Sequence, residues 1–208
     1  MVASFVIDAS HGNDGGNIPP RGMRVFLGVK IAPDIADQLV GLAKELRQEN
    51  AKIVASADLH LTLVPPWRET WISEAIEKIR LVASSFSPFV LEFRHLNYGP
   101  VLKRPRLLWV ECAASDDITA VRGALLRLFD QSDGRPFLPH VTLARLRGDG
   151  AAIARRRPID RNLSFTQQVI SVELFQSPPP GATGYQILAS APLKQANPPA
   201  SPRTEEDG

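Results

Sequence analysis

Apolar and polar residues alternate one for one at His60-Leu61-Thr62-Leu63, and the alternation returns 80 positions later at His140-Val141-Thr142-Leu143. A period of two is that of a strand, in which residues i and i+2 share a face. Each stretch predicts a strand with an aliphatic back and a front carrying one imidazole and one hydroxyl. The period around these strands is different. Arg24 to Ile31 is strand-like, Pro33 can open a helix, and Ile35, Leu39, Leu42, Ala43 and Leu46 recur at helical spacing. A second apolar run, Leu107 to Cys112, leads to Ser115 as a helix cap and to Ile118, Val121, Leu125, Leu128 and Phe129 as a helical stripe. Strand, helix, loop and His-x-Thr strand thus occur twice, which reads as an internal duplication.

The remaining pattern fills in around the two copies. Ile72, Ala75, Ile76, Ile79 and Val82 predict a helix over 71–85, and strands are expected at 88–97, 164–176 and 184–193. Helices mixed with hairpin-ordered strands give an α+β class with antiparallel sheets. The expected architecture is bilobal, with two pseudo-symmetric sheet-plus-helix lobes around a central cleft. Residues 1–22, of which 10–22 are rich in Gly, Pro and Asn, are expected to be a flexible leader, and 195–208 a disordered tail, leaving one folded domain over 23–194.

Composition narrows the function classes. The chain has 208 residues, 44% of them hydrophobic, with a formal net charge of +2, which accepts an anionic ligand without demanding nucleic acid. The single cysteine, Cys112, excludes an intrachain disulfide and a cysteine zinc cluster, and its apolar neighbours predict a buried, inert thiol. No apolar stretch is long enough for a membrane span, and the first residues do not read as a signal peptide. A cytoplasmic protein without membrane partner is the expectation, and a monomer, since no coiled-coil pattern is present.

Two of the four histidines lie in the repeated pattern. Histidine changes charge near neutral pH, so a pair in one cleft can divide the work into general base and general acid. A hydroxyl two residues along the same face can donate to a phosphate oxygen. The pair suits in-line attack at phosphorus without cofactor or metal, one histidine taking a proton from water and the other giving one to the leaving oxygen. Spacing alone allows either order. A metal held by His60 and His140 lacks support from carboxylates on the same strand faces. An RNA-binding module with little catalysis would need no titrating pair.

These residues resemble the two-histidine phosphoesterase superfamily, and within it the RNA 2′,3′-cyclic phosphodiesterases long labelled 2′-5′ RNA ligases. The resemblance rests on MRVFLGVKI at 23–31, DLHLTL at 58–63, RPRLLWVE at 104–111 and RPFLPHVTLAR at 135–145, and covers about residues 23–193. It implies a bilobal α+β fold and opening of a 2′,3′-cyclic phosphate, on RNA ends or cyclic nucleotides, to a 2′-phosphomonoester. It also implies that His60 protonates the leaving 3′ oxygen, that His140 activates water, and that Thr62 and Thr142 bind the phosphate. A 2′-5′ ligase or 2′-5′ phosphodiesterase would use the same pair. Many members follow the first motif with an aromatic residue and glycine, whereas here it runs Val64-Pro65-Pro66-Trp67, and the prolines are expected to end the strand.

Further candidates surround the motifs. Strict alternation puts Ala144 on the His140 side, so Arg145 shares it only if the alternation is broken, although it can reach a phosphate from the strand end. Arg104 and Arg106 flank Pro105 in a loop from which an arginine can clamp phosphate. Arg155-Arg156-Arg157 is expected in a solvated loop or along an RNA backbone. Trp67 is read as a stacking surface for a base or as packing on the next helix. Phe137 is an aromatic wall for the nucleobase, as the resemblance suggests, or a core plug. His95 is read as structural and His11 as incidental.

Overall fold

The computed structural model describes residues 22–132, 134–179 and 182–194. The expected tail, and the expected leader apart from Gly22, lie outside the described residues. Among these, nine strands form one antiparallel sheet: β1 (Met23–Lys30), β2 (Ala51–Ile53), β3 (His60–Glu69), β4 (Phe89–Gly99), β5 (Leu107–Cys112), β6 (His140–Leu146), β7 (Arg161–Val169), β8 (Ser171–Gln176) and β9 (Gln186–Pro192). Their order is β7-β4-β5-β6-β3-β1-β8-β9, with β2 paired to β6. The helices are α1 (Pro33–Leu42), α2 (Ile72–Ala83), α3 (Asp116–Leu128) and α4 (Gly150–Arg156).

The two motif strands meet at the centre of this order, through the pair Leu61↔Val141. On either side the lobes mirror one another, β1, β8 and β9 flanking β3, and β5, β4 and β7 flanking β6. The expected bilobal α+β fold is therefore present, with the two half-sheets fused into one. Leu61, Leu63, Val141 and Leu143, the backs of the motif strands, are at most 1% exposed and belong to the main core cluster. Ser115 caps α3 as expected, accepting from the Ile118 N–H. The Cys112 thiol is buried, and burial pushes its pKa up to about 12, as an inert core thiol requires.

The chain is exchanged between the lobes. α3 leaves β5 in one lobe and packs against β3 and α2 in the other. The stretch after α1 crosses the opposite way, Glu49 pairing with Arg156 and Arg157, and Glu45 with Arg161. Residues 164–176 do not form one strand. Ile170 separates β7 at one edge of the sheet from β8 in the other lobe, a break that a continuous alternation conceals.

Two other expectations need correction. Pro65 and Pro66 do not end the first motif strand, since β3 runs on to Glu69. Val25 pairs with Trp67 and Leu27 with Val64, so the two prolines together face the single residue Phe26. A bulge of this kind absorbs residues that lack a ladder donor. Arg155 and Arg156 are not in a loop, because Asp149 caps a short helix, α4, by accepting from the Ala152 N–H.

Gly28 lies where β1 crosses the motif strand. A Cβ there would stand 2.5 Å from the Leu61 carbonyl oxygen, which is backbone and cannot swing aside. Gly28→Ala is expected to cost about 1–3 kcal/mol, typical of overpacking. For a chain of this size that is a fall of roughly 2–12 °C in melting temperature, readable by circular dichroism.

Candidate active site

The site is built from the sheet register. Residues paired across strands point to the same face, so the Leu61↔Val141 pair fixes the back of the junction, and its neighbours fix the front. Continuing that antiparallel register by one residue puts His60 opposite Thr142 and Thr62 opposite His140. The next strands add Lys30 beside His60, Gly28 beside Thr62, Glu111 beside His140 and Trp109 beside Thr142. The four motif side chains thus share one cleft face.

Beyond each threonine the same irregularity occurs. Thr62 and Val64 pair with the successive residues Gly28 and Leu27, and Thr142 and Ala144 with Trp109 and Leu108, so Leu63 and Leu143 are each one residue too many. These bulges break the alternation that strict strand geometry would impose. Ala144 goes into the core at 0% exposure, and Arg145 turns to the histidine face, exposed to solvent. In the first copy the corresponding position is Pro65. A pseudo-symmetric site therefore carries one arginine.

Both imidazoles are held in the same way. His60 Nδ1–H donates to the Asp58 carbonyl at 2.7 Å, and His140 Nδ1–H donates to the Leu138 carbonyl at 2.8 Å. A carbonyl can only accept, so each ring carries its proton on Nδ1 and presents Nε2 as the free nitrogen. Aromatic rings fix the planes. Trp109 lies 4.4 Å from His140, while Phe26 and Tyr185 lie 4.8 Å and Phe175 5.4 Å from His60. The Tyr185 N–H also donates to Asp58 Oδ1 at 2.9 Å, tying the β8–β9 loop to the residue that orients His60.

Burial lowers the pKa of both histidines. At His60 the Asp58 carbonyl opposes this, whereas the nearby Arg145 and His140 add to the depression. At His140 the Leu138 carbonyl and the Glu111 carboxylate push back upward. Glu111 is itself held, since Oε1 accepts from Asn97 Nδ2 at 3.0 Å and Asn97 Oδ1 accepts from Trp109 Nε1 at 2.6 Å.

The remaining candidates separate. Phe137 is half-buried against the core, with the Arg122 guanidinium of α3 4.4 Å above its ring, and Trp109 is the aromatic ring beside His140. Arg106 is exposed, and its backbone pairs with Gly99 and Leu146 just before β5. One residue before Leu107, the partner of Arg145, it falls on the other side of the strand line from Arg145. Trp67 packs on Phe129 at 4.9 Å rather than facing the cleft. Arg156 and Arg157 are occupied by Glu49. His95 is on the cleft face, opposite Glu111 and paired with Asp160 at 2.6 Å. Phe26, Phe175, Tyr185, Trp109 and Glu111 gave no signal in the motif spacing, because they come from strands adjacent only in space. Among the described residues no group of three or more His, Cys, Asp or Glu gathers as metal ligands, and no helix is long and apolar enough to cross a membrane.

A family model described as the 2′-5′ RNA ligase superfamily matches residues 33–177. The chain belongs to this superfamily. A relative from Bacillus subtilis named RNA 2′,3′-cyclic phosphodiesterase is 31% identical over 127 residues, 58% of this chain and 69% of the relative. The crystal structure of TT0787 of Thermus thermophilus covers 84% of this chain and 100% of its own at a TM-score of 0.71 and 20% identity. That of Escherichia coli LigT complexed with 3′-AMP covers 84% and 99% at 0.62 and 22%. These two likenesses give the fold, and superfamily membership agrees with the paired motifs.

Both imidazoles are expected to titrate below the ordinary histidine value of 6.5, with the proton on Nδ1, in a long-range ¹H–¹⁵N NMR titration. With the folded values depressed, the neutral rings favour the folded state fully above the unfolded value, about 6.5. That contribution is lost as pH falls through the folded values. His60→Gln should therefore flatten the acid side of the stability curve measured by urea unfolding.

Proposed function

We propose that this chain is a metal-independent phosphodiesterase that hydrolyses 2′,3′-cyclic phosphate termini of RNA or nucleotides to 2′-phosphomonoesters. The observation that carries the reading is the pair of matched imidazoles, each with Nε2 free, on the two central strands with a threonine beside each. Membership of the superfamily and the name of the Bacillus subtilis relative supply the substrate class.

In this mechanism water attacks phosphorus in line with the bond to O3′. His140 Nε2 takes the proton from water as the new P–O bond forms. His60, protonated on Nε2, gives its proton to O3′ as the P–O3′ bond breaks. Thr62 and Thr142 donate to the non-bridging oxygens, and Arg145 offsets the charge that builds on them. The two imidazoles account for both proton transfers without a Lewis acid.

The surroundings favour this order of roles over the reverse. Arg145 lies close enough to His60 to repel its proton, which makes the imidazolium a better donor. Glu111 stabilises the imidazolium that forms on His140 when it takes up a proton. Each neighbour thus pushes the proton in the direction the reaction needs.

With EDTA present, the native protein is expected to turn over an oligoribonucleotide ending in a 2′,3′-cyclic phosphate, leaving a 2′-phosphate identified by ³¹P NMR. His60→Ala and His140→Ala should each lose on the order of 10²–10⁴-fold in kcat. A folded native protein inactive on this substrate would remove the assignment. Glu111→Gln should lower kcat by roughly tenfold or less and move the acid limb of the kcat/KM profile to lower pH, since one pKa unit is about a tenfold factor. A profile unchanged by that substitution would overturn the role given to Glu111.

A further inference from the structure

Asn97 stands apart from the proposed proton transfers, yet it bonds two of the groups that surround His140. β4 and β5 pair so that Asn97 lies opposite Trp109 and diagonal to Glu111, whose own partner is His95. The Trp109 indole N–H donates to Asn97 Oδ1 at 2.6 Å, and Asn97 Nδ2 donates to Glu111 Oε1 at 3.0 Å. An indole N–H can only donate and a carboxylate can only accept, so the two partners fix which way the amide faces. A side-chain amide suits the place because it carries a donor and an acceptor on one rigid plane.

The indole is confined on its other side. A Cβ on Gly99, two residues along β4, would stand 2.4 Å from Trp109 Cε2 and Cζ2, so the ring lies directly against that backbone. Trp109 is 4% exposed and packs on the His140 imidazole at a centroid distance of 4.4 Å. Glu111 lies opposite His140 in the β5–β6 pairing. One side chain on β4 therefore holds both the ring that packs on His140 and the carboxylate that faces it.

The first lobe uses the same position. Gly28 stands beside Thr62 as Trp109 stands beside Thr142, and opposite Gly28 is Glu173. Glu173 Oε2 accepts from the Lys30 backbone N–H at 3.2 Å, and Lys30 flanks His60 as Glu111 flanks His140. In each lobe the strand two removed from the motif strand sends a polar side chain to the residue beside the histidine. In the first lobe it holds main chain, and in the second it holds the charged group itself.

We infer that Asn97 is a positioning residue for the base of the reaction, keeping the Glu111 carboxylate and the Trp109 ring in place around His140. The inference rests on the cyclic phosphodiesterase reading for calling His140 the base. A carboxylate held beside an imidazolium favours it, so releasing Glu111 disfavours the protonated form of His140. The other charged and titratable groups around the pair are His60 across the β3–β6 junction, Arg145 along β6, and His95 with Asp160 facing Glu111 from β4. A change at Asn97 leaves all of these residues in the chain.

The test is a long-range ¹H–¹⁵N NMR titration of the histidines in the native protein, Asn97→Leu, Glu111→Gln and the double variant Asn97→Leu/Glu111→Gln. Leucine keeps the size of the side chain and removes both bonds, and Asn97→Ala takes its place if that variant does not fold. Glu111→Gln keeps the bond from Asn97 and removes the charge. His140 is expected to titrate at lower pH in Asn97→Leu than in the native protein, and the double variant to match Glu111→Gln alone. The Trp109 indole proton should exchange with solvent faster in Asn97→Leu. On the cyclic phosphate substrate that variant should lose roughly three- to tenfold in kcat with KM within about twofold, because its phosphate contacts are untouched. An unchanged His140 titration in Asn97→Leu would overturn the inference. So would a shift of equal size in the Glu111→Gln background, which would mean a route other than the carboxylate. If the native protein turns over no cyclic phosphate, the enzymatic reading fails, and the titration alone decides whether Asn97 positions Glu111.

Discussion

The structure depends on the pairing of two strands from opposite halves of the chain. Leu61 and Val141, both fully buried, are the one register pair joining β3 to β6. Through it two half-sheets become one sheet, and the motif side chains are brought to the same face without any loop having to place them. Aliphatic burial on one side of these strands therefore organises the polar side. At about 25 cal/mol per Å² of apolar surface removed from water, the leucines and valines of the junction outweigh any single polar contact in the site.

A duplicated frame would give identical halves, whereas the proposed reaction needs two different proton carriers. The chain breaks the symmetry in the neighbours of the motifs rather than in the motifs themselves. Arg145 occupies the position that Pro65 takes in the first copy, and Glu111 the position of Lys30. One imidazole is thereby set beside a guanidinium and the other beside a carboxylate, while both keep a carbonyl on Nδ1. Rings held in one tautomer by backbone lose little when neighbouring charges change, so the difference between them can be tuned separately from their geometry.

Much of this was legible in the residues. A period of two with His and Thr on one face and aliphatic residues on the other identified the motif strands, their relation and the lobe plan. Helices with a clear stripe, such as Ile118 to Leu125, were equally plain. The sequence was silent where geometry departs from the ideal period. The bulge at Leu143 leaves no compositional mark, yet it alone turns Arg145 toward the cleft. Pro65 and Pro66 suggested a strand end, but an opposing single residue absorbs them. The break at Ile170 was hidden because β7 and β8 are both extended and their separation is a matter of partners. The aromatic support of His60 is drawn from positions as distant as Phe26, Phe175 and Tyr185, and only folding brings them together.

The exchange of segments between lobes bears on how the two halves could ever have lived apart. The first lobe needs β8 and β9 from the end of the folded chain, while α3, from the middle of it, covers the first lobe's own motif strand. Severed at the midpoint of the repeat, neither fragment would own a complete sheet edge or a complete helical cover.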